Sequence, residues 1–226
     1  NQIAPIFKWW ICKCYRLGDV IITPTEYAKK LLLNYHLNRP IYAISNGINT
    51  DFFEYNSKFK DEFRKKYHYK KNDKVIMGVG LYLKRKGILD FVELAKRLPE
   101  YQFIWFGYLD LKLVPKEIRV AVNTKLDNLI FAGYVEQEFL RKAYSGADLY
   151  LFPTLEETEG IPILEALTAK IPTLVRDIPV FEEFITDKAY LVDEPRQLQQ
   201  FVSTVARDRR MTVLLIGNTL SRVCPY

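Results

Sequence analysis

Short apolar runs alternate with stretches of helical periodicity along most of the chain. Asp19-Val-Ile-Ile-Thr23 and Pro40-Ile-Tyr-Ala-Ile-Ser45 read as short strands. Between them Thr25 caps a predicted helix that carries Tyr27, Leu31, Leu32 and Leu33. Asn46-Gly47 is a strong turn signal, after which Lys58 to Tyr69 reads as a basic helix. Strands are then predicted at Lys74–Gly80, Gln102–Phe106, Asn128–Ala132, Leu149–Phe152 and Pro172–Val175. The intervening segments have helical spacing: Ile88, Phe91, Val92, Ala95 and Leu98 fall on one face. Further helices are predicted over Glu136–Gly146, Ile161–Ala169 and around Val180. Strands separated by helices imply right-handed crossovers, hence an α/β fold with a Rossmann-like, doubly wound parallel sheet. A single strand-helix-strand unit cannot cover both faces of a sheet. Residues 1–46 are therefore expected to be the remnant of a second Rossmann-like domain, 47–202 a whole domain and 203–226 an atypical tail.

Composition narrows the class. The 226 residues suffice for one domain or one and a half, and no run approaches the roughly 20 apolar residues of a spanning helix. Cys12 and Cys14, two apart, make neither a zinc spacing nor a disulfide framework. His36 and His68 stand in unrelated contexts, which argues against a histidine metal site or a Ser-His-Asp triad. A cytosolic protein with reduced thiols is expected. Charge is polarised: residues 58–86 hold eleven Lys or Arg against three acids, and residues 154–194 hold three against ten. A basic face for an anionic partner and a pair of solvated helix surfaces both fit that pattern. Ile3, Ile6, Phe7, Trp9 and Trp10, interspersed with lysine, read as core packing exposed by a missing neighbour, ahead of a membrane-interface helix.

The chemistry concentrates at three strand ends. Gly160 opens the helix that follows Leu149–Phe152, and Glu157 and Glu165 bracket its start. Helix N-termini favour anions, whereas carboxylates accept hydrogen bonds from hydroxyls; together they suit a nucleotide-sugar. Gly80-Leu-Tyr-Leu-Lys-Arg-Lys-Gly87 links a strand to a helix, and Lys84, Arg85 and Lys86 there can neutralise a diphosphate. A solvated basic turn is the alternative. Tyr134, at another strand end, suits stacking on a nucleobase, although core packing is the more frequent role of such a tyrosine. Glu156, Glu157 and Glu159 also resemble a divalent-cation cluster, but no second ligand cluster accompanies them, so no metal is expected. Aromatic-basic interleaving of a nucleic-acid module is absent, so no nucleic-acid partner is expected.

Glu157-Thr-Glu-Gly-Ile-Pro-Ile-Leu-Glu165 resembles the paired-glutamate motif of family-4 retaining glycosyltransferases of the GT-B fold. Ile44-Ser-Asn-Gly-Ile48 resembles their interdomain hinge, and Lys86-Gly87 their phosphate-binding lysine. Ala147–Pro153 and Pro172–Val175 match the flanking strands. The wording around the motif looks most like bacterial synthases that glycosylate diacylglycerol or glucosyl-diacylglycerol. The resemblance implies a fragment holding the donor-binding domain of a retaining hexosyltransferase. UDP-glucose or UDP-galactose would be the donor substrate and a membrane glycolipid the acceptor, with no cofactor. It implies a cytoplasmic enzyme, peripheral at the inner face of the cell membrane and drawn to anionic lipid. It assigns Glu165 to the ribose diol, Glu157 to the sugar hydroxyls, and Gly160, Ile161 and Thr158 to the donor beside them. It assigns Lys86, with Arg85, Lys84 and the Gly80 turn, to the diphosphate, and Tyr134 to the base. Two departures stand out. Leu81 replaces the usual arginine, leaving Lys84 or Arg85 to supply that charge, and the tail from Ser203 lacks the acidic helix of the family. A glycosyltransferase of cell-wall or exopolysaccharide synthesis, and a non-catalytic partner subunit of this fold, remain alternatives.

Overall fold

Apolar runs rich in β-branched and aromatic residues pair in parallel, as their alternation with helices requires. The computed structural model describes residues 4–183, 191–192 and 213–216. Two units are distinguished. The first comprises Asn1–Gly47, Glu157–Gly160 and Ile178–Thr186; the second comprises Ile48–Glu156, Ile161–Asp177 and Asp187–Tyr226.

In the first unit, α1 (Ala4–Arg16) precedes β1 (Ile21–Thr23), α2 (Glu26–Leu33) and β2 (Ile41–Ala43). Thr25 caps α2 by accepting the Ala28 N–H at 3.1 Å, satisfying a donor left open at a helix start. The two strands pair in parallel, Ile21 opposite Ile41, and these residues form a small core with Leu37. Helix α1 buries no residue, and Ile6, Phe7, Trp9 and Trp10 are all exposed. Pro179–Glu183 forms a 3-10 turn where the sequence suggests an α-helix around Val180.

The second unit opens with α3 (Thr50–Phe53) and α4 (Ser57–Lys66) and continues with β3 (Val75–Val79) and α5 (Ile88–Arg97). Then come β4 (Gln102–Phe106), α6 (Lys116–Val122), β5 (Leu129–Gly133) and α7 (Gln137–Gly146). β6 (Leu149–Phe152), α8 (Ile161–Thr168), β7 (Thr173–Arg176), β8 (Leu191–Val192) and β9 (Val213–Ile216) complete it. The strands form one parallel sheet of order β5-β4-β3-β6-β7-β9-β8. Strands are added outward in opposite directions from β3 and β6, the switch point beyond whose carboxyl ends ligands bind in such sheets. Apart from β9, the predicted atypical tail lies outside the described residues.

Trp105, Phe91 and Phe103 are fully buried in the core, with both phenylalanine rings of that trio in edge contact. Gly78 leaves the space: a Cβ there would stand 2.6 Å from the Trp105 ring. Asn128, just before β5, donates its amide to the Ala95, Leu98 and Tyr101 carbonyls and so ties off the end of α5. Short α3 and α6 were not predicted. Four and seven residues are too few for apolar periodicity to declare a helix.

Candidate functional site

The cationic turn is built on backbone that the fold has already used. The Gly80 N–H donates to the Phe106 carbonyl at 2.8 Å, and the Gly80 carbonyl accepts from Trp105 Nε1 at 2.8 Å. A Cβ at Gly80 would stand 3.3 Å from the Trp105 ring and 3.4 Å from the Lys86 stem, close to ordinary contact. Lys84–Lys86 form a 3-10 turn ended by Gly87 at φ 74, a left-handed conformation that favours glycine. Any Cβ at residue 87 would stand 2.1 Å from the Pro153 carbonyl oxygen. Lys84 pairs with Glu117 of α6 at 3.4 Å, Arg85 donates to the Glu156 carbonyl at 3.4 Å, and Lys86 Nζ lies 5.5 Å from the Phe152 ring centre. Leu81, in the position of the family's arginine, is exposed.

The loop after β6 is stitched to this turn. Leu155 donates its N–H to the Arg85 carbonyl at 2.7 Å, and the Thr154 hydroxyl lies 3.0 Å from the same oxygen. Arg176, at the end of β7, donates Nε to the Pro153 carbonyl at 3.1 Å and forms a buried ion pair with Asp90 in the first turn of α5. A buried pair needs its remaining donors satisfied to be tolerated, and the Pro153 bond contributes to that. Neither Thr154 nor this Arg-Asp pair stood out in the sequence. The one available signal is an arginine closing the apolar run Pro172–Val175.

Helix α8 begins at Ile161, directly after Gly160 at φ 85. Pro162 has no N–H, so Ile161 and Ile163 carry the open donors of the first turn. Glu165 on this helix is 6% exposed and accepts the Tyr144 hydroxyl at 2.9 Å. Burial pushes its carboxyl pKa up, and the Tyr144 bond opposes that shift. Tyr144 is wholly buried on α7 and also lies 3.2 Å from the Pro162 carbonyl. Burial, followed by the neighbouring Tyr150 and Glu165, raises its pKa well above the ordinary range, which keeps it a donor.

The motif's loop residues group with the first unit. Glu157 is half-buried and its carboxylate accepts the Thr158 N–H at 3.2 Å; the Thr158 carbonyl accepts the Thr25 hydroxyl at 2.7 Å. Glu159 is 3% exposed, and its carboxylate accepts the Ser45 hydroxyl, the Asn46 amide side chain and, at 3.1 Å, the Asn46 N–H. That carboxylate is an anchor for the Ser45-Asn46 turn, distinct from the acidic cluster that the sequence suggests. The second unit thus gathers Gly80, Lys84, Arg85 and Lys86 after β3, Tyr134 after β5, and Ile161 and Glu165 after β6. Glu157, Thr158 and Gly160 belong to the first. Tyr134 is 71% exposed rather than packed in the core, and its hydroxyl reaches Glu136 at 3.3 Å.

Residues 59–208 match the family model described as glycosyl transferases group 1. A processive diacylglycerol alpha-glucosyltransferase of Acholeplasma laidlawii is 43% identical over 191 residues, covering 84% of this chain and 58% of that protein. An alpha-galactosylglucosyldiacylglycerol synthase of Streptococcus pneumoniae is 35% identical over 114 residues, covering 49% of this chain and 30% of that protein. The chain spans about half the length of the curated relatives it matches, or less. The crystal structure of Anabaena HepE in complex with UDP-glucose superposes with a TM-score of 0.68 at 14% identity, covering 85% of this chain and 58% of that one. At that identity the likeness is one of fold: the doubly wound α/β architecture of GT-B glycosyltransferases. With the family model matched over more than half its length, the chain belongs to the glycosyl transferases group 1 family.

Proposed function

We propose that this chain is the nucleotide-sugar-binding part of a retaining hexosyltransferase. Its donor is UDP-glucose or UDP-galactose and its acceptor is diacylglycerol or glucosyl-diacylglycerol. The observation that carries the reading is Glu165. A carboxylate 6% exposed and aligned by one tyrosine sits on the helix after β6, while the cationic turn follows the adjacent strand β3. A buried acceptor with spare lone pairs suits a vicinal diol, which brings two donors.

In this reading Glu165 accepts the ribose hydroxyls and Tyr134 stacks on the base. Glu157 accepts hydroxyls of the sugar, with Thr158 and the Gly160 and Ile161 N–H groups beside the donor. As the bond from the sugar's anomeric carbon to the diphosphate oxygen breaks, negative charge grows on that oxygen. Lys86 and Arg85, on a turn whose backbone is bonded to Thr154 and Leu155, stabilise it, and the reading requires no protein-bound metal. Lys84 contributes less because it is committed to Glu117. The acceptor hydroxyl attacks on the face that the diphosphate leaves, which retains configuration. Among the described residues no helix is long and apolar enough to cross a membrane. Basic surface would hold the enzyme at the anionic inner face of the cell membrane. Calorimetry of UDP with the purified chain tests the site. Binding weakened by Glu165→Ala and by Lys86→Ala is expected; absent binding, or binding indifferent to both changes, sinks the assignment.

A further inference from the structure

The amino ends of the same sheet hold a second concentration of positive charge. Lys74 and Asp148 directly precede β3 and β6, and between them opens a cleft of about 690 Å3 lined also by Arg64, Lys65, Tyr69 and Lys71. Arg64, among the lining residues, is itself buried. That guanidinium donates to the Lys70 and Asp73 carbonyls at 2.6 and 2.7 Å, and to the Gly146 carbonyl and Asp148 at 3.3 Å. These bonds fix the turn that presents Lys71 and Lys74. Asp148 is consumed by Arg64 and by the Val75 N–H at 2.9 Å, and Asp73 by the Lys70 N–H at 2.7 Å. Asp61 is the one other acid in the lining, against Lys65, Lys71 and Lys74, which form no ion pair among the described residues.

Like charges crowded around a hollow repel, and the arrangement becomes favourable when an anion fills it. Tyr69 packs into the same wall, its hydroxyl buried without a hydrogen-bond partner among the described residues. The ring is held by Tyr67 and Phe63, and burial raises the hydroxyl's pKa so that it remains a donor. Several cationic side chains lining one cleft favour an anion that offers several oxygens, such as a phosphate group.

We propose that this cleft is a second anion site, at the opposite end of the sheet from the donor site, that takes a phosphate group. That group can belong to a lipid headgroup or to a free phosphate. The test uses the whole chain with UDP saturating the donor site. Inorganic phosphate is titrated by NMR, and vesicles of phosphatidylcholine with and without phosphatidylglycerol are tested by co-sedimentation. Binding of free phosphate, or of the phosphatidylglycerol vesicles alone, supports the site and identifies its source. Lys71→Ala/Lys74→Ala is expected to weaken that binding about tenfold. Lys112→Ala/Lys125→Ala removes equal charge elsewhere and is expected to change it little. Thermal unfolding verifies that each variant is folded. Failure of both probes to bind, or equal loss in the Lys112/Lys125 pair, overturns the proposal.

Discussion

Glu159 and Glu165 are six positions apart, both nearly buried, and in opposite electrostatic situations. Glu159 accepts from Ser45 and twice from Asn46, so the fold has already matched its charge with donors. Glu165 receives one hydroxyl, from Tyr144, and burial raises its pKa. A carboxylate surrounded by its own chain's donors holds structure together. One left short of donors keeps acceptor capacity for the diol of the proposed donor.

The contrast can be broken most forcefully at Glu159. Glu159→Ala removes the acceptor of three donors on exposed Ser45 and Asn46 and is expected to cost about 2 kcal/mol in urea unfolding; a loss below about 1 kcal/mol would erase the distinction. Glu165→Ala should behave oppositely. Tyr144 keeps the Pro162 carbonyl within 3.2 Å, so stability should move by no more than about 1 kcal/mol, while calorimetry should show UDP affinity falling about 30-fold. Lys86→Ala is expected to weaken UDP about tenfold, through lost charge on the diphosphate.

The raised Glu165 pKa has a definite sign. The folded state holds this proton more tightly than the unfolded state, whose carboxyl has the ordinary value of 4.5. The stability of the native chain relative to Glu165→Gln should therefore be highest below that value. It should fall as pH rises through the folded-state pKa, then level off. UDP affinity should rise across the same window, since the diol needs the ionised acceptor. A flat difference between the two proteins in urea unfolding from pH 4 to 8 would refute the burial argument. The smallest effect is expected at Tyr134→Ala: stability within about 0.5 kcal/mol, because the ring is exposed, and UDP affinity lower by about threefold through lost stacking.

Much of the second unit was legible because its strands announce themselves. Runs such as Val75–Val79 and Leu149–Phe152 are apolar throughout, as strands covered on both faces must be. The cationic turn and the glutamate helix followed from their positions at strand ends. What the sequence withheld was who pays court to which charge. Ser45 and Asn46 are 114 and 113 residues from Glu159, and nothing local separates that carboxylate from Glu156 or Glu157. Tyr144 reads as an ordinary helical aromatic until the fold brings it to Glu165, and Asp90 gives no hint of Arg176, 86 positions away. Periodicity reports burial, and it is silent about which distant donor arrives.

The bonds from Leu155 and Thr154 to Arg85 carry a kinetic consequence. They join residues 70 and 69 apart in the chain, so they form only once the strand carrying the loop has docked beside β3. Recovery of the proposed nucleotide binding during refolding should then lag behind helix formation, and would time the closing of the sheet.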